Sequence, residues 1–121
     1  MIDLATITVN DKIFLSQYDM DVVIEYDVLQ DVFRDIQGDW GMGNTFFQPS
    51  LSGFVLVTGS HVSEYNTDES SIVWTKEIEL SGDDSCPKSW IVYDDCYYWT
   101  TDRDVNTLNE NFKSKGIKSI I

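Results

Sequence analysis

A chain of 121 residues with 21 Asp/Glu against 8 Lys/Arg carries a formal charge of −13; it repels nucleic acid and anionic membranes and attracts basic proteins. Apolar residues make up 42% and aromatics 13%, enough for a core rather than a disordered acidic tail, and this length predicts one domain over residues 1–121. No apolar run exceeds Phe54–Val57, and Met1-Ile2-Asp3-Leu4 has neither the basic nor the long apolar region of a signal peptide, which excludes an apolar membrane span and places the protein in a cytoplasm.

The charge is uneven. Residues 1–75 hold twelve carboxylates against Lys12 and Arg34, a balance of −10, whereas residues 76–121 balance at −3. Within the acidic part, Ile7–Val9 and Ile13–Leu15 flank Asn10-Asp11, the composition of a hairpin with a tight turn. The stretch Tyr18–Val28 then alternates. Tyr18, Met20, Val22, Ile24, Tyr26 and Val28 fall on one parity; Asp19, Asp21, Glu25 and Asp27 fall on the other, with Val23 the single exception. Period-2 alternation predicts a strand with the apolar set inside and a row of carboxylates outside. Carboxylates two residues apart on a strand are ~6.6 Å apart, comparable with the spacing of phosphates along a nucleic-acid strand.

From residue 28 the pattern turns helical. Leu29, Val32, Phe33 and Ile36 share a helical face and Gly38 supplies the stop, so a helix over 28–37 is expected. One helix over 21–37 is the competing reading, against which the β-branched run Val22-Val23-Ile24 argues. On a helix Asp27, Asp31 and Asp35 form one acidic stripe of like charges. Asp39 follows the helix end, where the dipole disfavours an anion. Such an arrangement works against stability and so points to function.

Residues 40–44 and 49–53 read as loops, Gly53–Gly59 as a central strand and residues 61–71 as a polar turn or exposed loop. Ile72 to Leu80 alternates as a strand, with Lys76 on the inner parity, and residues 81–85 turn the chain. Trp90–Tyr93 and Cys96–Thr100, joined by Asp94-Asp95, read as a hairpin that sets Trp90 opposite Trp99. Trp90, Tyr97 and Trp99 then share one face, which is either core or a docking surface. That register leaves Cys86 ~20 Å from Cys96 at strand rise, beyond disulfide reach, so two free thiols are expected. A last helix over 104–115 presents Val105, Leu108 and Phe112 and ends at Gly116. The sum is an α+β fold: a mostly antiparallel sheet of five to six strands with two helices.

His61 is the lone histidine and has no Cys or His partner at zinc-ligand spacing. No nucleophile-elbow sequence is present. Asp19-Met20-Asp21 and Gly82-Asp83-Asp84 have the look of acidic metal-binding motifs, yet the surroundings of Asp19 lack the basic groups that a phosphoryl-transfer site needs. Gly41-Met42-Gly43 lacks the third glycine of a dinucleotide loop. No catalytic residue, metal or cofactor is therefore assigned. The reading that remains is a stoichiometric inhibitor that is a monomer or homodimer, of the kind carried by phages and mobile elements. Its carboxylates Asp19, Asp21, Glu25, Asp27, Asp31, Asp35 and Asp39 would stand in for phosphates on a basic restriction, CRISPR or repair enzyme or on a nuclease toxin. A viral assembly protein packing through its aromatics is the alternative, and a small metal-dependent enzyme the third reading.

Overall fold

The computed structural model describes residues 4–17, 21–43, 45–77, 89–93, 96–100 and 117–119. All regular elements among them are strands: β1 Leu4–Val9, β2 Lys12–Gln17, β3 Val22–Asp27, β4 Val32–Gln37, β5 Phe46–Pro49, β6 Gly53–Val57, β7 His61–Asn66, β8 Ser71–Glu77, β9 Ser89–Tyr93, β10 Cys96–Thr100 and β11 Ile117–Ser119. The chain divides into two compact units, Met1–Ile78 and Glu79–Ile121. The first holds two antiparallel four-stranded meanders, β1-β2-β3-β4 and β5-β6-β7-β8; the second holds the sheet β11-β10-β9.

The α+β expectation is thereby corrected to all-β, with no helix among the described residues. Where a helix was expected over 28–37, Val28–Asp31 is a turn and β4 follows, paired to β3 from Asp27↔Val32 to Val22↔Gln37. The turn is closed locally. Gln30 N–H donates to Asp27 Oδ1 at 3.0 Å, Val28 N–H donates to Asp11 O at 2.9 Å, and Asp31 takes the left-handed conformation at φ 55°. The helical spacing arises from apolar residues in three different places: Leu29 in the turn, Val32 and Ile36 on one strand face, Phe33 on the other. The second expected helix, over 104–115, lies outside the described residues.

Two further segments differ from expectation. Residues 61–66, expected as a loop, form β7, in which Val62, Ser63 and Tyr65 are buried; β5 has no counterpart among the expected elements. The polar residues of β7 are accommodated by specific partners, since Ser63 Oγ and Thr75 Oγ1 share a hydrogen bond of 3.1 Å across the ladder and Glu64 accepts from Trp74 Nε1 at 2.9 Å. The first hairpin forms as expected around Asn10 at φ 55°. The register of the last one also matches expectation: Trp90↔Trp99 and Cys96↔Tyr93, with β11 added beyond β10. Cys96 is a free thiol; Cys86 lies outside the described residues.

Inside the first unit, the two meanders pack face to face. Phe14, Val23 and Ile36 from one sheet meet Phe54, Leu56 and Tyr65 from the other, with Trp40 from the connection closing the cluster. Phe14 lies 4.8 Å from Phe54 and 5.9 Å from Tyr65, ring centre to ring centre, within the range of favourable aromatic pairs. Trp40, 1% exposed, satisfies its indole by donating to Ile36 O at 3.0 Å. Burial of these large side chains is the main source of stability in this unit. Among the described residues no helix is long and apolar enough to cross a membrane.

Candidate acidic interface

The expected carboxylate row is corrected by a single residue. Val23, the exception to the alternation of β3, is fully buried against Ser16 and Ile36 in the ladder. Since side chains alternate across a strand, Glu25 and Asp27 must share its inward parity, and Val22, Ile24 and Tyr26 turn to the other face. Glu25 is 6% exposed. It belongs to the interior of the sandwich and not to an outer row.

What holds Glu25 there also decides the charge of the surface. Arg34, its neighbour across the β3–β4 ladder, donates from Nη2 to Glu25 Oε1 at 3.0 Å, and Lys12 Nζ lies 3.9 Å from the same oxygen. A carboxylate buried this far requires paired cations and hydrogen bonds. Arg34 also reaches the Tyr65 hydroxyl at 3.4 Å, and its guanidinium is held above its ordinary pKa, chiefly by the bond to Glu25. Lys12 and Arg34 are the two cations of residues 1–75. Both are thus spent on one internal carboxylate, and no other acid of this segment forms an ion pair with a Lys or Arg among the described residues.

Those acids have separate local roles. Asp21 Oδ1 accepts from the backbone N–H groups of Trp40 and Gly41 at 3.0 and 3.2 Å, fixing the exit from β4. Asp27 caps the β3–β4 turn. Asp31 accepts from the Tyr26 hydroxyl at 2.7 Å, which raises the phenol above its ordinary pKa, with burial and the charges of Asp31 and Asp27 adding to the effect. Asp35 is exposed on β4 and has no hydrogen bond or ion pair among the described residues. Asp39 is exposed beside His61. The structure therefore gathers Asp27, Asp31 and Asp35 around one hairpin, sets Asp21 and Asp39 at its far end and takes Glu25 inside; Asp19 lies outside the described residues.

The surroundings of His61 form an arrangement that the sequence did not disclose. Ser60 Oγ lies 2.7 Å from His61 Nδ1, and Asp39 Oδ2 lies 3.5 Å from Nε2. Ser60 Oγ in turn accepts from Met42 N–H at 3.1 Å, and Thr58 Oγ1 donates to Trp40 O at 2.9 Å. The chain of contacts fastens the 39–43 connection onto the 58–61 turn. Gly41 fits there at φ 87°, where an added Cβ would come within 2.5 Å of His61 Nδ1 and Thr58 Oγ1. Among the described residues no three His, Cys, Asp or Glu side chains are placed to hold a metal ion.

The outer face of the first sheet has an apolar centre with polar residues at its margins. Thr8, Ile13, Tyr26 and Phe33 form one row across it and Thr6, Leu15, Ile24 and Asp35 the next. Tyr26 and Phe33 stack at 4.5 Å, and Phe33 remains 67% exposed. Of the expected aromatic surface Trp90, Tyr97 and Trp99, the structure describes the backbone, which places Trp90 and Trp99 opposite one another. No protein-family model matches the chain, and no curated protein matches its sequence.

Proposed function

We propose that this protein is a stoichiometric inhibitor that binds a basic, nucleic-acid-handling protein, with exposed carboxylates occupying the places of phosphates. The observation that supports this reading is the consumption of Lys12 and Arg34 by the buried Glu25. Surface carboxylates are ordinarily interspersed with cations; here Asp27, Asp31, Asp35 and Asp39 form no ion pair with a Lys or Arg among the described residues. A uniform field of this sign steers basic proteins and orients their nucleic-acid grooves. Exposed Phe33 and Leu29 beside the acids supply apolar contact area, which charge alone does not.

The test is capture from a bacterial lysate on the immobilised chain, compared with a variant carrying Asp27→Asn, Asp31→Asn, Asp35→Asn and Asp39→Asn. Asparagine keeps the acceptor oxygens that close the turn and bond Tyr26. The reading expects basic nucleic-acid-binding proteins to be retained by the parent, released by a salt step, displaced by duplex DNA and held at least tenfold more weakly by the variant. Equal retention by parent and variant, with no competition from DNA, overturns it. Concentration-dependent self-association of the purified chain would instead favour an assembly role for its aromatic surfaces.

A further inference from the structure

Among the described residues, each sheet edge in the first unit except one is blunted. β1 lies against β5, β5 ends in Pro49, and β8 pairs with β7 through an irregularity at Glu64/Tyr65 and carries the exposed Lys76. Proline, lysine, bulges and covering strands are the usual means by which a sheet avoids pairing with another chain. β4 is the remaining edge of the first sheet among the described residues. Its sequence Val32-Phe33-Arg34-Asp35-Ile36-Gln37 contains no Pro, Gly or Lys, and Val32 and Phe33 are 51% and 67% exposed. An inward-pointing charge can also guard an edge, but Arg34 already has Glu25 as its partner. A strand added beside it would cover a charge that is neutralised.

We infer that the β4 edge is a strand-addition site for an extended segment of the basic partner, one that alternates lysine or arginine with apolar residues. The inference rests on the reading that the partner is basic, and it names the element of this chain that the partner pairs with. The two faces of β4 dictate the alternation. On the outer face an incoming side chain meets Asp35 flanked by Phe33, which suits a cation whose stem covers the ring. On the inner face it meets Val32, Ile36 and the stem of Arg34, which suits a small apolar residue. Main-chain hydrogen bonds supply the rest, as in other strand-addition complexes.

Charge argues against a second copy as the occupant. Antiparallel self-pairing about a two-fold axis sets one residue opposite itself. The two longest registers are centred on Arg34 and on Asp35, so each places identical charges face to face, which destabilises a ladder. A formal charge of −13 on each copy adds to that.

The experiment uses the full chain, labelled for NMR, and a synthetic peptide of alternating lysine and valine. Its control is the same peptide with alternate backbone nitrogens methylated, which keeps charge and side chains but removes pairing on one edge. Expected are slowed hydrogen exchange at the amides of residues 32–37 on adding the first peptide, at least tenfold weaker binding of the methylated one, and at least tenfold weaker binding of the first peptide to Asp35→Lys. Equal binding of both peptides, with protection elsewhere, overturns the edge site and leaves the basic-partner reading standing. Failure of the unmethylated peptide to bind overturns the edge site, and the lysate comparison then decides the partner reading by itself. Protection of 32–37 that grows with protein concentration and no peptide makes a second copy the occupant and also overturns the inference.

Discussion

Arg34 Nη2 stands 3.0 Å from Glu25 Oε1 across the β3–β4 ladder, with the carboxylate side chain 7% exposed and the arginine 48%. That asymmetry predicts unequal consequences for the two halves of the pair. Arg34→Met strands a buried carboxylate with only Lys12 at 3.9 Å and should lower unfolding stability by ~3 kcal/mol. Glu25→Gln leaves cations that can turn to water and should cost about 1–2 kcal/mol. Urea titration of both variants measures the difference. Equal losses would mean that Glu25 finds another partner when Arg34 is gone.

The reading of the sequence succeeded where a short segment carried its own turn, and failed where a face had to be chosen. Asn10-Asp11 and the flanking runs sufficed to locate the first hairpin, because the turn residues determine the register locally. The alternation in β3 was equally visible, yet it could not show which parity is inside. Three apolar side chains on one parity outvote Val23 on the other until Ser16, Ile36 and the cations Lys12 and Arg34 are brought alongside. Glu25 is buried for a reason that lies thirteen residues earlier and nine later in the chain. The 28–37 segment failed similarly: a turn followed by a two-faced strand mimics helical spacing, and only the ladder to β3 resolves it. Asp27, Asp31 and Asp35 nonetheless fall on one hairpin, although not on one face as a helix would have placed them.

The connection after β4 offers a test of the contacts around His61. Gly41 sits at φ 87° with the Ser60, His61 and Thr58 side chains packed against its open side. Gly41→Ala adds both a left-handed strain and a steric conflict. A loss of about 2–4 kcal/mol is expected, against a much smaller one for Gly→Ala at an open position. A melting temperature unchanged by Gly41→Ala would show that the 39–43 connection is not held against the 58–61 turn.

Two phenols make stability fall at alkaline pH. Tyr65 is raised above the ordinary phenol value mainly by burial, and Tyr26 mainly by its hydrogen bond to Asp31. A raised native value means that the folded chain keeps a proton that the unfolded chain releases. This contribution is fully present below the unfolded value of about 10 and is lost as pH climbs through it towards the native value. Melting temperatures at pH 9 and above 10 should therefore drop steeply for the parent. Tyr65→Phe should be a little less stable at pH 9 and should lose less over the same interval. An identical alkaline drop in parent and Tyr65→Phe would place the titration on other residues.

The last prediction separates function from folding at the acidic hairpin. Asp27 and Asp31 lie at the β3–β4 turn with Asp35 farther along β4, and Lys12 and Arg34 are both engaged by Glu25. Their mutual repulsion opposes folding and is screened by salt, with a Debye length of about 10 Å at 0.1 M. The variant with Asp27→Asn, Asp31→Asn, Asp35→Asn and Asp39→Asn retains the acceptors for Gln30 N–H and the Tyr26 hydroxyl. Asn is also at ease in the left-handed conformation that Asp31 holds. The variant should melt higher than the parent at low salt, by ~2–5 °C if the relief is near 1 kcal/mol. Raising the salt should lift the parent towards the variant and move the variant little. Carboxylates that cost the fold stability and yet face solvent are the behaviour expected of a binding surface. A variant that melts lower than the parent at every salt concentration would make them structural, and the case for a phosphate-like surface on this hairpin would be lost.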